Sequence, residues 1–360
     1  MGLVKYKTLK PAAHAQRAPQ VLDLGLGICA TMNQILSAFT LFLSLLVEAM
    51  PFLLMGVLLS GALLIFVDER KLIAILPKNP FLGALAGSAL GFMFPVCECG
   101  NVPVARRLIS QGAPISVAVS FLLAAPTINP VVIWSTWTAF RDQPEIAVLR
   151  IVLSFAIATI VSMVFSTQKD LRAILQPNIA IALPSPKVKV GAVPVGTFFL
   201  GEDRSQSLDL ASYVAASNQV VTKSLPDRLN LLLDNTLAEM RELGAILIMG
   251  SAIAAIIQVW VPRDIILNLG QGPVSSIVAM MILAAIVSIC STVDSFFALS
   301  FASTFTGGSL LSFLVFGPTI DLKAIGLILT IFKKRAVIYM FLLTAQLTFL
   351  SCLFINFQIG

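Results

Sequence analysis

The sequence predicts an all-α polytopic membrane protein built as two pseudo-repeated halves with broken helices. Three observations predict it: an apolar composition, hydrophobic runs of span length, and a residue pattern that recurs after 192 to 194 positions. Of 360 residues, 58% are hydrophobic and only 12% charged, with mean hydropathy +0.94. Soluble domains carry about twice that share of charge, so lipid replaces water over much of the surface. The formal charge of +6 does not indicate nucleic acid. Basic residues of a membrane protein flank its spans and set orientation.

Residues 1–30 read as a basic tail with Lys5, Lys7, Lys10 and Arg17. It lacks the compact apolar stretch and small-residue cleavage site of a signal peptide, and is expected to stay cytoplasmic. A span needs about 20 apolar residues. On that ruler the first membrane repeat, 31–166, holds four hydrophobic units at 32–67, 81–109, 113–140 and 146–166. A polar connector follows at 167–227, punctuated by Pro177, Pro184, Pro186 and Pro194. The second repeat, 228–360, holds units at 228–261, 273–304, 309–332 and 336–357. Eight units with internal breaks predict eight to ten crossings. The halves match at Glu48 and Glu242, Met55-Gly56 and Met249-Gly250, and Pro126-Thr127-Ile128 and Pro318-Thr319-Ile320. Four spans per half would make the repeats parallel and turn Lys333-Lys334-Arg335 outward, against the positive-inside tendency. An odd number of crossings per half, with re-entrant hairpins at the breaks, would make them inverted. Sequence leaves both open.

Three constellations carry chemistry. The first is Phe94-Pro95-Val96-Cys97-Glu98-Cys99-Gly100-Asn101-Val102-Pro103, in the second unit. Proline lacks the amide donor and crowds the preceding turn, so the helix breaks. Backbone groups freed in hydrocarbon must be satisfied by protein or by a watered cavity. Buried cysteines usually pack as small hydrophobes, but paired thiols beside an intramembrane Glu suit soft metals and metalloids. Two thiols cannot complete a structural zinc site, so no permanent metal and no cofactor is expected. The second constellation is Pro126-Thr127-Ile128-Asn129-Pro130, matched by Pro318-Thr319-Ile320-Asp321. One copy reads as a kink whose polar residues satisfy freed carbonyls; two copies resemble the broken helices of transporter sites. The third is Cys290-Ser291-Thr292-Val293-Asp294-Ser295. A carboxylate at bilayer depth costs roughly 2.5–3.5 kcal/mol on insertion scales, which makes Asp294 and Asp321 the candidates for H+ coupling. The expected substrate site is Cys97, Glu98, Cys99, Asn101, Thr127, Asn129, Cys290, Asp294, Thr319 and Asp321.

The Pro95–Pro103 segment, with Gly112-Ala113-Pro114 and Pro126-Thr127-Ile128-Asn129-Pro130, resembles the bacterial permease family of the UPF0718 group, which includes the organoarsenical efflux permease ArsP. The resemblance runs from about residue 30 to the C-terminus, interrupted by the connector. It implies a multi-pass protein of the bacterial plasma membrane that exports trivalent arsenicals or another thiophilic metalloid. Cys97 and Cys99 would be transient ligands, and Cys290 a third if the halves face each other. Nothing in the chain reads as a catalytic site, a phosphate-binding loop or a soluble redox domain, so a permease is favoured over an enzyme. A membrane-embedded thiol redox enzyme, and a channel or structural subunit of a membrane complex, are the alternatives. Oligomeric state, a homo-oligomer included, is left open.

Overall fold

The computed structural model describes residues 17–66, 76–77, 79–94, 96–168, 171–182, 225–260 and 272–359. The tail up to residue 16, Pro95 and residues 183–224 of the connector lie outside the described residues, as do the side chains of 17–31. Every named element is helical. The first half comprises α1 (Arg17–Phe66), α2 (Pro80–Met93), α3 (Glu98–Ser110), α4 (Ile115–Ile128), α5 (Pro130–Ala139) and α6 (Pro144–Ser166). Two short helices follow, α7 (Leu171–Ile174) and α8 (Pro177–Ala182). The second half comprises α9 (Leu225–Trp260), α10 (Ser275–Val287), α11 (Ser291–Leu299), α12 (Gly307–Phe316), α13 (Leu322–Ile328) and α14 (Lys334–Ile359). The two halves thus present the same order of a long helix, a short pair, a broken helix and a second long helix.

Local chemistry sets the boundaries. Asn79 caps α2, accepting from the Phe81 amide at 3.1 Å, with Pro80 at the first helical position where its missing amide costs nothing. Asn129 and Asp321 cap α5 and α13 in the same way, accepting from the Val132 and Ala324 amides. Between α3 and α4 the chain reverses at Gly112, whose φ of 86° suits a residue without Cβ.

The short pairs fold back on themselves. Ser88 and Ser120 share a hydrogen bond at 2.6 Å, and Ser120 donates to the Ala84 carbonyl at 2.7 Å. Gly83 faces Ser116 while Gly91 lies against Ala125. Helices α2 and α4 therefore run parallel, and α3 between them must return the way α2 came. The second half repeats this. Ser309 donates to Ser276 at 2.7 Å, Ser312 to the Ile277 carbonyl at 3.4 Å, and Gly317 faces Ala284. So α2–α3 and α10–α11 are helical hairpins with tips at 94–97 and 288–290.

The eight hydrophobic units appear as helices, and among the described residues six of these helices are long and apolar enough to cross: 32–62, 115–139, 144–166, 229–260, 307–328 and 334–358. The other two units begin with helices of 14 and 13 residues, about 21 and 20 Å long against about 30 Å of hydrocarbon. Hydropathy alone does not separate a run that crosses from one that enters and returns. The broken spans, 115–139 and 307–328, are 89% and 83% buried, against 28–44% for the other four. They form the centre, and the long helices form a lipid-facing shell; Trp134 and Trp137 of α5 and Trp260 of α9 are exposed.

Contacts between helix ends define two faces. Gln176 donates its amide to the Ile331 carbonyl and Lys333 donates to Ile174, so α7–α8 and the Lys333-Lys334-Arg335 turn share one face. On the other face Asn356 donates to the Pro273 carbonyl at 3.0 Å.

Backbones touch where α1 crosses α3: a Cβ added at Gly56 would overlap the Gly100 carbonyl, and one at Gly100 would lie 2.7 Å from the Phe52 carbonyl. Backbone cannot swing aside as a side chain can. Gly56→Ala is therefore expected to cost about 1–3 kcal/mol through overpacking, read as a lowered melting temperature of detergent-purified protein. A melting temperature equal to wild type would show that α1 and α3 separate freely.

Candidate functional site

The hairpin tips and the two breaks converge at the centre. Cys97 and Cys290 occupy equivalent places as N-cap residues of α3 and α11, and neither side chain makes a capping hydrogen bond. Cys97, Cys99 and Cys290 are buried with free thiols, and the Cys97 thiol interacts with those of both Cys99 and Cys290. Thiols from the two halves thus meet. Among the described residues, no three His, Cys, Asp or Glu side chains are placed to hold a metal ion.

Beside the thiols lies a charge cluster that couples the halves. Lys323 Nζ sits 3.7 Å from Glu98 Oε1 and 3.6 Å from Asp321 Oδ2, with all three side chains at most 4% exposed. Asp321 also caps α13 and accepts from Ser288 Oγ at 3.0 Å. Ser288 accepts in turn from the Leu322 amide at 3.2 Å. Its φ of 50° is left-handed, uncommon for a side-chain-bearing residue, and such strain tends to gather at functional sites. Asp321 is well partnered, whereas Glu98 Oε2 has no hydrogen-bond partner.

A second polar group joins α5 and α6 to the other hairpin. Arg150 Nη1 donates to Thr136 Oγ1 at 2.8 Å and to Ser295 Oγ at 3.0 Å, and the two hydroxyls bond each other at 2.9 Å. Arg150 is 1% exposed. Asp294, one residue before Ser295, is the charged group acting on it, though no ion pair within 4 Å forms.

The expected site residues divide accordingly. Cys97, Glu98, Cys99, Cys290, Asp294 and Asp321 come together at the tips. Thr127 and Thr319 donate to the Ala124 and Phe316 carbonyls of their own helices at 3.0 and 2.8 Å. Asn129 caps α5, donates to Ala125 at 3.1 Å and also reaches the Val96 carbonyl at the first hairpin tip at 3.5 Å. Thr127 and Thr319 act as kink residues. Asn101 fixes α3 to α4, donating to the Leu122 carbonyl at 2.7 Å, and its Oδ1 is unpartnered. Lys323 and Arg150 escaped the sequence reading. Each is a cation inside an apolar unit, a signal as strong as that of Asp294. Glu242 pairs with Arg106 at 2.9 Å, nearer the basic face.

Removing one member of a buried ion network leaves the others uncompensated, at about 3–5 kcal/mol. Lys323→Gln is expected to lose that much in thermal unfolding, and Lys323→Gln with Glu98→Gln to recover part of it. A double variant no more stable than Lys323→Gln alone would refute the pairing.

Comparison with known proteins places this arrangement. The chain is 37% identical over 298 residues to the UPF0718 protein YcgR of Bacillus subtilis, covering 83% of this chain and 90% of that one. It is 29% identical over 324 residues to a Streptococcus mutans protein named "Putative two-component membrane permease complex subunit", covering 90% and 96%. UPF0718 protein MJ0584 of Methanocaldococcus jannaschii matches over 132 residues at 25%, covering 35% and 36%. No solved structure matches. The family model ArsP_1, described as a predicted permease, matches residues 34–357. The chain belongs to this ArsP_1 permease family, within the UPF0718 group, and is a multi-pass membrane permease.

Proposed function

We propose that the protein is a secondary active permease of the bacterial plasma membrane. It exports a small thiophilic solute, a trivalent organoarsenical or related metalloid, held transiently by Cys97 and Cys99 with Cys290 as third ligand. The observation that carries this reading is the meeting of Cys97, Cys99 and Cys290 from opposite hairpins, next to the buried Glu98–Lys323–Asp321 cluster. Soft thiolates favour such a substrate. Re-entrant helices meeting near mid-membrane suit alternating access. The coupling ion in this reading is H+, carried by Asp294 and Asp321.

Three span-length helices per half support an inverted arrangement of repeats 31–166 and 228–360, joined by the connector 167–227. An inverted pair sets Arg106, Arg107 and Lys333-Lys334-Arg335 on one face, which the positive-inside tendency makes cytoplasmic. That orientation sets the start of α1 on the opposite side, against the expectation of a cytoplasmic tail. The name of the Streptococcus mutans relative supports a partner subunit as a further part of the proposal.

The test is flux of a trivalent phenylarsenical in proteoliposomes. Cys97→Ser and Cys99→Ser are each expected to lower the initial rate at least about tenfold, equivalent to about 1.4 kcal/mol of lost stabilisation, while eluting as folded protein. An undiminished rate would return both thiols to packing. Asp294→Asn and Asp321→Asn are expected to abolish the dependence on an imposed proton gradient; unaltered dependence in both would exclude coupling through them. A Cys97–Cys99 disulfide cycling with a quinone in mass spectra would favour the redox enzyme, and conductance without saturation a channel.

A further inference from the structure

Arg150 is the largest fully buried side chain among the described residues, and its hydrogen bonds to Thr136 and Ser295 use two of its five N–H donors. Nη1 is fixed by Thr136 and Ser295, and Thr136 is itself anchored to the Val132 carbonyl at 2.7 Å. Nε and Nη2 are buried with no hydrogen-bond partner. These two nitrogens form the side-on edge of the guanidinium, whose parallel N–H bonds match two oxygens of an oxyacid. The anchoring of Nη1 holds that edge in one orientation.

The neighbouring hairpin offers complementary groups. Asp294 Oδ2 and Ser291 Oγ are also buried and unpartnered, with Asp294 2% and Ser291 1% exposed. They stand three residues apart on α11, hence on one helical face. Cys290 is the N-cap of the same helix, which sets one of the thiols at its start. The charged side chains acting on Asp294 are Arg150, Glu98, Lys323 and Asp321. A cavity of about 290 Å³ opens on the face away from Lys333, lined by Asp142, Gln143, Glu145, Leu149, Gly308 and Asn356 among others. Leu149 lines it, while Arg150, the next residue, turns to Thr136 and Ser295.

An unpaired guanidinium edge and an unpaired carboxylate oxygen are each costly when buried. A direct ion pair would relieve both, yet they stand apart. A ligand relieves them together only if it accepts from one and donates to the other. With Asp294 ionised, a bare oxyanion fails there and a cation fails at Arg150; an acid carrying both acceptor oxygens and a hydroxyl satisfies both.

We propose that Arg150, Asp294 and Ser291 form an oxygen subsite that binds a small protonated oxyacid. Two ligand oxygens accept from the Arg150 edge and one ligand hydroxyl donates to Asp294. This names the substrate class for the central site and rests on the permease reading above. It also matches a trivalent organoarsenical in its hydrated form, which carries hydroxyls on the arsenic before thiols displace them as water.

The probe is phenylphosphonate, an oxyacid with no affinity for thiols, titrated by calorimetry into the full chain in lipid nanodiscs. Wild type is expected to bind it saturably. Arg150→Lys, which keeps the charge and loses the fork, should weaken binding at least tenfold. The monomethyl ester of phenylphosphonate, also a monoanion but without a hydroxyl, should bind wild type at least tenfold more weakly than the parent. Wild-type affinity should also fall about tenfold per pH unit above the second ionisation of the ligand, as the hydroxyl is lost. Absence of saturable binding, an ester as tight as the parent, or affinity indifferent to that ionisation overturns the subsite; the last two need no variant. Protein that binds phenylphosphonate but does not carry the trivalent phenylarsenical keeps the subsite and loses the thiophilic substrate. The reverse result removes the subsite alone.

Discussion

A helix interrupted inside hydrocarbon leaves polar groups that water cannot reach, and the whole centre of this protein answers that constraint. Four chain breaks come together, at Phe94 and Val96–Cys97, at Asn129, at 288–290 and at 320–321. Each supplies what another lacks. Asn129 and Asp321 cap the helices that restart behind them. Ser288, at one tip, takes up the Leu322 amide and donates to Asp321 at the opposite break. The breaks are tolerable because they are together, and being together makes them a site.

The two halves are built alike but charged differently. Asn101 and Asn129 of the first half stand where the second has Asp294 and Asp321. The cations cross over: Lys323 of the second half reaches Glu98 of the first hairpin, and Arg150 of the first half reaches Ser295 of the second hairpin. Each hairpin is therefore held by a cation from the opposite half. A relative movement of the halves has to remake both sets of contacts, which ties the state of the buried charges to the geometry of the site.

Serine and glycine pack the hairpins against the broken spans. Ser88–Ser120 and Ser276–Ser309 occupy equivalent interfaces, and Gly56 meets Gly100 backbone to backbone. In lipid, where apolar surface gains little by leaving one helix for another, small residues and hydroxyl contacts bring helices close. These residues looked unremarkable along the chain because their partners lie 32 or more positions away.

The sequence alone determined the membrane environment, the eight hydrophobic units, the places where helices break, and the presence of thiols and acids at those places. These are local properties: hydropathy, the missing amide of proline, the chemistry of Cys and Asp. Only the tertiary structure decided that two units fold back as hairpins, because hydropathy records that a segment is apolar and not where its chain turns. It also decided that Thr127 and Thr319 bond carbonyls of their own helices, while Lys323 and Arg150 complete the charge balance. Pairing across more than 140 positions depends on which faces of distant helices meet, and no local pattern carries that information.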